Sequence, residues 1–414
     1  MPDAPLPEHR LDAAELAILH WISAFALQHG DEAALLAGFG TRLLDAGLPV
    51  SRIGLGYSLF HPVLEGRGFF WRREAPDHSV ENRRGQGDPD ALAGSPFAPI
   101  AQGRTTEIRR TVGADHVPGE FALLDAYAAE GMRDYLALGV GFGPGTSIGA
   151  MRGILLSFQT DRPGGFAAAE VALLRRLATP LGHAVKTMMS VDAGRVLVTT
   201  YLGRDAGQRV LDGTIRRGAA EPTTAVLWSS DLVGFTRIAD TAPRGALIPL
   251  LNDYADAVVG AITAEGGEVL KFIGDGILAI FPFGGAPACG RALDAAEAAL
   301  AAVGELSARR AAAGQPHTGI HLALHVGEVL YGNIGSRERL DFTVVGPAVN
   351  ELARIEAMCR TLDQPLVASS AFAGLSEPAR RRLVSLGRYA LRGVRRPQEL
   401  FTVDPETARG ASPL

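Results

Sequence analysis

TTAVLWSSDLVGFTRIAD, residues 223–240, and GGEVLKFIGDGILAIFP, residues 266–282, are the two stretches on which the reading of the fold turns. The first is an apolar, β-prone run that ends at Asp231, turns at Gly234 and opens a helix. A carboxylate therefore stands at a strand end. The backbone N–H groups of Leu232, Val233, Gly234, Phe235 and Thr236 are expected to be free to face an anion. An acid beside a phosphate-sized site makes sense when a divalent cation lies between them, although a strand-end Asp also serves as an ordinary helix cap. In the second stretch two short β-prone runs flank Ile273 to Gly276, a hairpin with Asp275 at its tip. Asp-Gly is what a hairpin turn prefers in any case. Two such carboxylates can also hold a pair of Mg²⁺ ions about 3.5–4 Å apart, one on the attacking oxygen and one on the leaving phosphates.

A third stretch, RLDFTVVGPAVNELARIEAMCR (residues 339–360), reads as a strand, a Gly346-Pro347 break and a helix. Asn350 and Arg354 are spaced i, i+4 and share one helix face. On an exposed helix such a pair is commonly a solvated polar stripe. At a phosphate site it supplies an amide to orient a ribose and a guanidinium to hold charge on a phosphorus-bound oxygen.

In order and approximate spacing, SSDLVGFT, EVLKFIGDGILAIF, IHLALHVGEVLYGNIGS and DFTVVGPAVNELARIE resemble the class III adenylate and guanylate cyclases, across Thr223 to Val403. The resemblance implies an α+β fold, a ferredoxin-like cyclase domain with an antiparallel-rich sheet and a long Ala-rich helix from Ala286 to Ala313. By position, Asp231 and Asp275 resemble the two metal-binding aspartates, for two Mg²⁺ or Mn²⁺ ions, and Asn350 and Arg354 the pair that orients the ribose and stabilises the transition state. Lys271, four residues before Asp275, falls where adenylate cyclases carry a purine-reading lysine and guanylate cyclases usually a glutamate, which favours ATP. Thr343, seven before Asn350, falls where many adenylate cyclases have an aspartate; this resembles a threonine-bearing subclass with some bicarbonate-responsive members. Asp341, nine before Asn350, is not the equivalent residue.

YALRGVRRPQELFTV resembles the last strand pair of the family, with Arg392 near a triphosphate-binding basic residue and Arg395 and Arg396 competing for that role. Glu351 replaces a usual apolar residue and is expected to face solvent, and His325 is expected to be a satisfied structural histidine. Family members are head-to-tail dimers. By that resemblance the aspartates of one subunit meet the Lys271, Thr343, Asn350 and Arg354 equivalents of the other. The implied reaction is conversion of ATP to 3′,5′-cyclic AMP and pyrophosphate. A guanylate cyclase and a non-catalytic nucleotide-binding regulator are the alternatives. A diguanylate cyclase is disfavoured, because its GG(D/E)EF signature is replaced by IGDG.

Upstream, SRIGLGYSLF reads as a strand after two helices, Ala13 to His29 and Asp31 to Ala46; residues 73–118, rich in Gly, Pro, Asp and Arg, read as a long surface excursion. A helix near Glu120 to Glu130, strands in DYLALGVGF and MRGILLSFQ, and a helix from Phe166 follow. That ending resembles the close of a GAF-type small-molecule sensor domain, which implies an effector at the N-terminal domain. The expected organisation is an α/β GAF-like domain over 1–190, a helical linker over 191–220, the catalytic domain over 221–405 and a tail over 406–414.

At 414 residues, 47% hydrophobic and 21% charged, the chain has material for two sizeable cores. Forty Lys and Arg against 45 Asp and Glu give a net charge of −5, so no chain-wide field favours nucleic acid or anionic lipid. Two cysteines, Cys289 and Cys359, provide no disulfide framework and fit a reducing compartment, simplest the cytoplasm. The N-terminal run reads as an amphipathic helix rather than a signal peptide, and the apolar stretch Tyr135 to Phe158 as two strands around a turn. No membrane span is expected.

Overall fold

The computed structural model describes residues 8–86, 92–112, 117–149, 151–394 and 396–404. The chain divides into two compact units, Met1–Leu197 and Val198–Leu414.

In the first unit, β1 (Arg52–Ser58), β2 (Leu64–Arg72), β3 (Ala75–Arg83), β4 (Glu107–Thr111), β5 (Asp134–Gly141) and β6 (Gly153–Thr160) form one sheet in the order β3-β2-β1-β6-β5-β4. All its pairings are antiparallel. The expected excursion over 73–118 is thus partly regular. β3 pairs with β2 in a hairpin, and its polar sequence suits an edge strand, which needs no second apolar face. The two N-terminal helices run Glu8–Gln28 and Glu32–Asp45. Asp31 caps the second, accepting from the Ala33 and Ala34 N–H groups at 2.9 and 3.1 Å.

The period-two pattern of SRIGLGYSLF sends Ile53, Leu55 and Tyr57 into a core shared with Phe39, Leu43 and Phe158. The same core holds Leu173, Leu177, Leu181 and Val185 of the helix Ala168–Leu202. Across the sheet's other face, β pairing sets Arg52, Gln159 and Tyr135 in one row. Gln159 and Tyr135 are fully buried, and the Gln159 amide has no hydrogen-bond partner. The helix Ala168–Leu202 runs past residue 190, breaks at Gly203 (φ 85°), and is followed by the helix Arg204–Leu211.

In the second unit, β7 (Ala220–Leu232), β8 (Glu268–Ile273), β9 (Gly276–Pro282), β10 (Ile320–Gly335), β11 (Leu340–Val345), β12 (Leu366–Ser369), β13 (Leu383–Tyr389) and β14 (Gln398–Val403) form an eight-stranded sheet. Its order is β13-β14-β12-β10-β7-β9-β8, with β11 on β10, and only β10 with β12 is parallel. The helices Arg244–Ala264 and Pro287–Ala312 cover one face, and Pro347–Leu362 covers the other. The expected Ala-rich helix is present. Its alanines 288, 292, 295, 296 and 299 are all buried, which small side chains at helical spacing permit.

Arg244–Ala264 is long and apolar enough to cross a bilayer by length and composition. Its Leu250, Tyr254, Val258 and Ile262, spaced four apart, are buried in the core of the second unit.

Asp134, 1% exposed at the start of β5, holds the long helix of the first unit in place. It accepts from the Phe166 N–H at 2.9 Å and from Arg109 Nη2 at 2.6 Å. Replacing it with Ala leaves the buried Phe166 N–H unpaired, while Arg109, a third exposed, can turn to water. The unpaired amide dominates, so Asp134→Ala is expected to cost about 1–3 kcal/mol in denaturant unfolding of the full chain.

Candidate active site

Along β7, Val226, Trp228 and Leu232 point into the core under the helices Arg244–Ala264 and Pro287–Ala312, whereas Ala225 and Leu227 point toward Pro347–Leu362. Strand alternation puts Ser229 and Asp231 on the second face. Asp275 arrives from the β8–β9 hairpin. Ile273 pairs with Gly276, so the two-residue loop is Gly274-Asp275, within the Ile273 to Gly276 hairpin expected from the sequence. Gly274 takes φ 64°, which only glycine adopts cheaply as the first loop residue, and that conformation turns Asp275 back toward β7. Asp275 Oδ2 then accepts from the Leu232 N–H at 3.1 Å.

The two carboxylates therefore meet. Burial pushes the Asp231 carboxyl above the usual range, with the Asp275 charge acting in the same direction and His321 and Arg360 opposing. His321 lies opposite Asp231 on β10, its Nδ1 3.7 Å from Asp231 Oδ1. That Oδ1 is buried and has no hydrogen-bond partner. Such an oxygen fits a cation. Among the described residues no three His, Cys, Asp or Glu side chains gather as a metal cage. A carboxylate pair suits the other mode, in which Mg²⁺ is held by one or two carboxylates together with substrate phosphates.

Asp231, Leu232 and Asp275 line a cavity of about 260 Å³ with Ser230, Leu251 and Phe272. Lys271, Thr343, Asn350, Arg354 and Arg392 do not line it. Asn350 and Arg354 stand exposed on the helix Pro347–Leu362, and Arg392 is exposed in the turn before β14. Arg396 is exposed as well, and Arg395 lies outside the described residues. One chain thus carries two separate sets of candidate residues.

The anion reading of the strand-end amides needs correction. Leu232 N–H is taken by Asp275 and Val233 N–H by the Gly319 carbonyl at 3.0 Å. The ladder and the hairpin reach further than the sequence implied. The amides of Gly234, Phe235 and Thr236 are left where Gly234, at φ 67°, turns the chain into the helix Phe235–Thr241.

Glu351 does not face solvent. It is half-buried between His325 and Gln398 Nε2, which donates to it, because the helix packs this side against the sheet. His325 is a buried structural residue, its Nδ1 2.8 Å from Ser369 Oγ, and burial holds its pKa down. Thr343 is buried on β11, opposite Gly332. Asp341, set aside by position, forms an ion pair with Lys271. It shares a strand face with Thr343 at period two, the signal that could have shown it. Glu356 was also missed. It accepts a hydrogen bond from Ser229 Oγ, and burial raises its carboxyl, with Asp231 and Asp275 adding to the effect.

Residues 220–404 match the family model for the adenylate and guanylate cyclase catalytic domain. This segment is a class III cyclase catalytic domain. Relatives of the chain include uncharacterized protein MT1361 of Mycobacterium tuberculosis (strain CDC 1551 / Oshkosh), 32% identical over 211 residues, covering 50% of this chain and 37% of the relative. Uncharacterized protein Rv1318c of Mycobacterium tuberculosis (strain ATCC 25618 / H37Rv) is 32% identical over 230 residues, covering 54% of this chain and 41% of the relative. The chain thus spans about two fifths of the length of these curated relatives. Among solved structures, a bacterial light-regulated adenylyl cyclase aligns at TM-score 0.39 and 26% identity, covering 44% of this chain and 91% of that one. The guanylyl cyclase Cya2 aligns at TM-score 0.40 and 27% identity, covering 44% and 93%.

In this cyclase domain the Asp231 carboxylate is a cost when no cation is present. Its raised pKa means that the folded chain binds the proton more tightly than the unfolded chain. Stability therefore falls as pH rises from the ordinary Asp range through the raised value. At neutral pH with chelator, Asp231→Asn is expected to melt higher than wild type. Mn²⁺ is expected to raise the melting temperature of wild type but not of the variant. An equal Mn²⁺ shift in both would overturn Asp231 as a ligand.

Proposed function

We propose that the protein is an adenylate cyclase that converts ATP to 3′,5′-cyclic AMP and pyrophosphate at composite sites of a head-to-tail homodimer, regulated by its N-terminal unit. The observation that carries the reading is the Asp231–Asp275 pair, with one buried carboxylate oxygen unpartnered, in a cyclase catalytic domain. Asp231 and Asp275 hold Mg²⁺ or Mn²⁺. When bound, the ions neutralise charge on the attacking 3′ oxygen and on the leaving pyrophosphate. The Gly234, Phe235 and Thr236 amides face the phosphates. From the other subunit, Lys271 donates to the adenine ring and Thr343 accepts from its amino group. Asn350 orients the ribose, and Arg354 holds charge building on the α-phosphate oxygens. Arg392 contacts the triphosphate.

The dimer is supported by the division of these residues within one chain and by exposed apolar side chains near both sets. Phe272 and Ile273 lie beside the Asp275 loop, and Leu330 and Val345 pair on β10 and β11. A regulatory role for the N-terminal unit is supported by the buried, unpartnered Gln159 amide, a polar group of the kind a small effector satisfies. Bicarbonate is the first effector to try. Cys289 and Cys359, both free and buried, support a reducing compartment such as the cytoplasm.

Side-by-side assay with ATP and GTP tests the base choice, and cyclic GMP as the main product would replace this reading with a guanylate cyclase. Lys271→Glu is expected to cut ATP turnover much more than GTP turnover, because a donor to the ring becomes an acceptor. An unchanged ratio removes Lys271 from base recognition. For the dimer, Asp231→Ala and Asn350→Ala are each expected to be nearly inactive alone. On subunit exchange the mixture is expected to recover about a quarter of wild-type activity, since half the dimers are mixed and each has one intact site of two. A dead mixture despite proven exchange places each active site within one chain.

A further inference from the structure

Glu356 stands beside the site with no role in the scheme above. It lies two residues beyond Arg354 on the helix Pro347–Leu362, about 200° further round the helix axis. One side of that helix exposes Asn350 and Arg354, while Leu352, Ile355 and Cys359 on the other are buried against the sheet. Glu356 belongs to the inner side. It accepts a hydrogen bond from Ser229 Oγ, and Ser229 is two residues before Asp231 on the same face of β7. The bond spans 127 residues of sequence and ties a strand that ends in one half-site to a helix that presents the other. A half-buried acid facing two other carboxylates is costly. An apolar residue would pack the helix more cheaply, so the acid's worth lies in the geometry that it fixes.

We propose that Ser229 and Glu356 are a positioning pair that locks the Asn350–Arg354 helix to the Asp231 strand, so that the two half-sites of each chain move as one unit. This rests on the composite-site reading above. In a head-to-tail dimer each bridge then serves both active sites, its own chain's aspartates in one and its own chain's asparagine and arginine in the other.

The test uses full-length Ser229→Ala, Glu356→Ala, Glu356→Gln and the double alanine variant. Two quantities are read: Mn²⁺ affinity of the metal-free protein by electron paramagnetic resonance, and kcat and KM with Mn²⁺. Each single alanine variant is expected to lose about tenfold in kcat and to bind Mn²⁺ several-fold more weakly, in the range of lost groups that orient metal ligands. The double variant is expected to be no worse than either single one, the mark of a shared interaction. Glu356→Gln, whose amide oxygen can still accept from Ser229, is expected to recover most of kcat. Additive losses, or a Gln variant as impaired as Ala, overturn the pair.

A second arm adds Glu356→Ala to one chain of the Asp231→Ala and Asn350→Ala mixture. Activity is expected to drop whichever chain carries it. A drop only from the Asn350→Ala chain, which supplies the working aspartates, confines Glu356 to the metal half-site and overturns the linkage. An inactive wild type, or a dead parent mixture, overturns the composite-site reading and this inference with it. If the parent mixture is active and the Glu356 variants are indistinguishable from it, the inference alone fails.

Discussion

Two carboxylates held together at the end of a sheet constrain everything around them. Asp231 stands near the end of β7 and Asp275 in the β8–β9 loop, and burial draws the Asp231 carboxyl out of water. Like charges in a partly desolvated place repel, and neither strand gains stability from bringing them there. The arrangement persists because the surroundings fix it. β7 pairs on both sides, with β10 and β9, and the Gly274-Asp275 loop is as short as a hairpin allows. Under the proposed function, a divalent cation would relieve that repulsion.

The same economy explains the split of candidate residues within one chain. A helix packed on a sheet has an inner face committed to the core and an outer face that is free. Glu351 and Glu356 fall inward and find polar partners, and Asn350 and Arg354 fall outward with none to the cavity. Under the proposed head-to-tail homodimer, a second copy would supply the other half. The exposed Phe272, Ile273, Leu330 and Val345 then have a reason to be apolar.

The N-terminal unit shows a comparable asymmetry. One face of its sheet is filled by Ile53, Leu55 and Tyr57 against helices, while the other carries Arg52, Gln159 and Tyr135 in a row. Tyr135 packs there with Ile108, Leu124 and Tyr127, and burying the Gln159 amide beside them without a partner is expensive.

Much of the catalytic fold was legible in the chain. Strand periods, the Gly-Pro break and the Ala-rich helix identified the elements, because side-chain alternation and backbone restriction are local properties. The approach of Asp231 and Asp275 followed from motif order, and the hairpin lies at Ile273 to Gly276 as its residues indicated. β3 was missed because an edge strand may be polar throughout, which leaves no periodic signal. What the sequence determined by itself was which residues could do chemistry and on which kind of element each would sit. What only tertiary structure decided was partnership: Lys271 with Asp341, Glu351 with His325 and Gln398, and Glu356 with Ser229. Those contacts join residues 26 to 127 positions apart. Their geometry depends on how a sheet and a helix pack, and no local period encodes that.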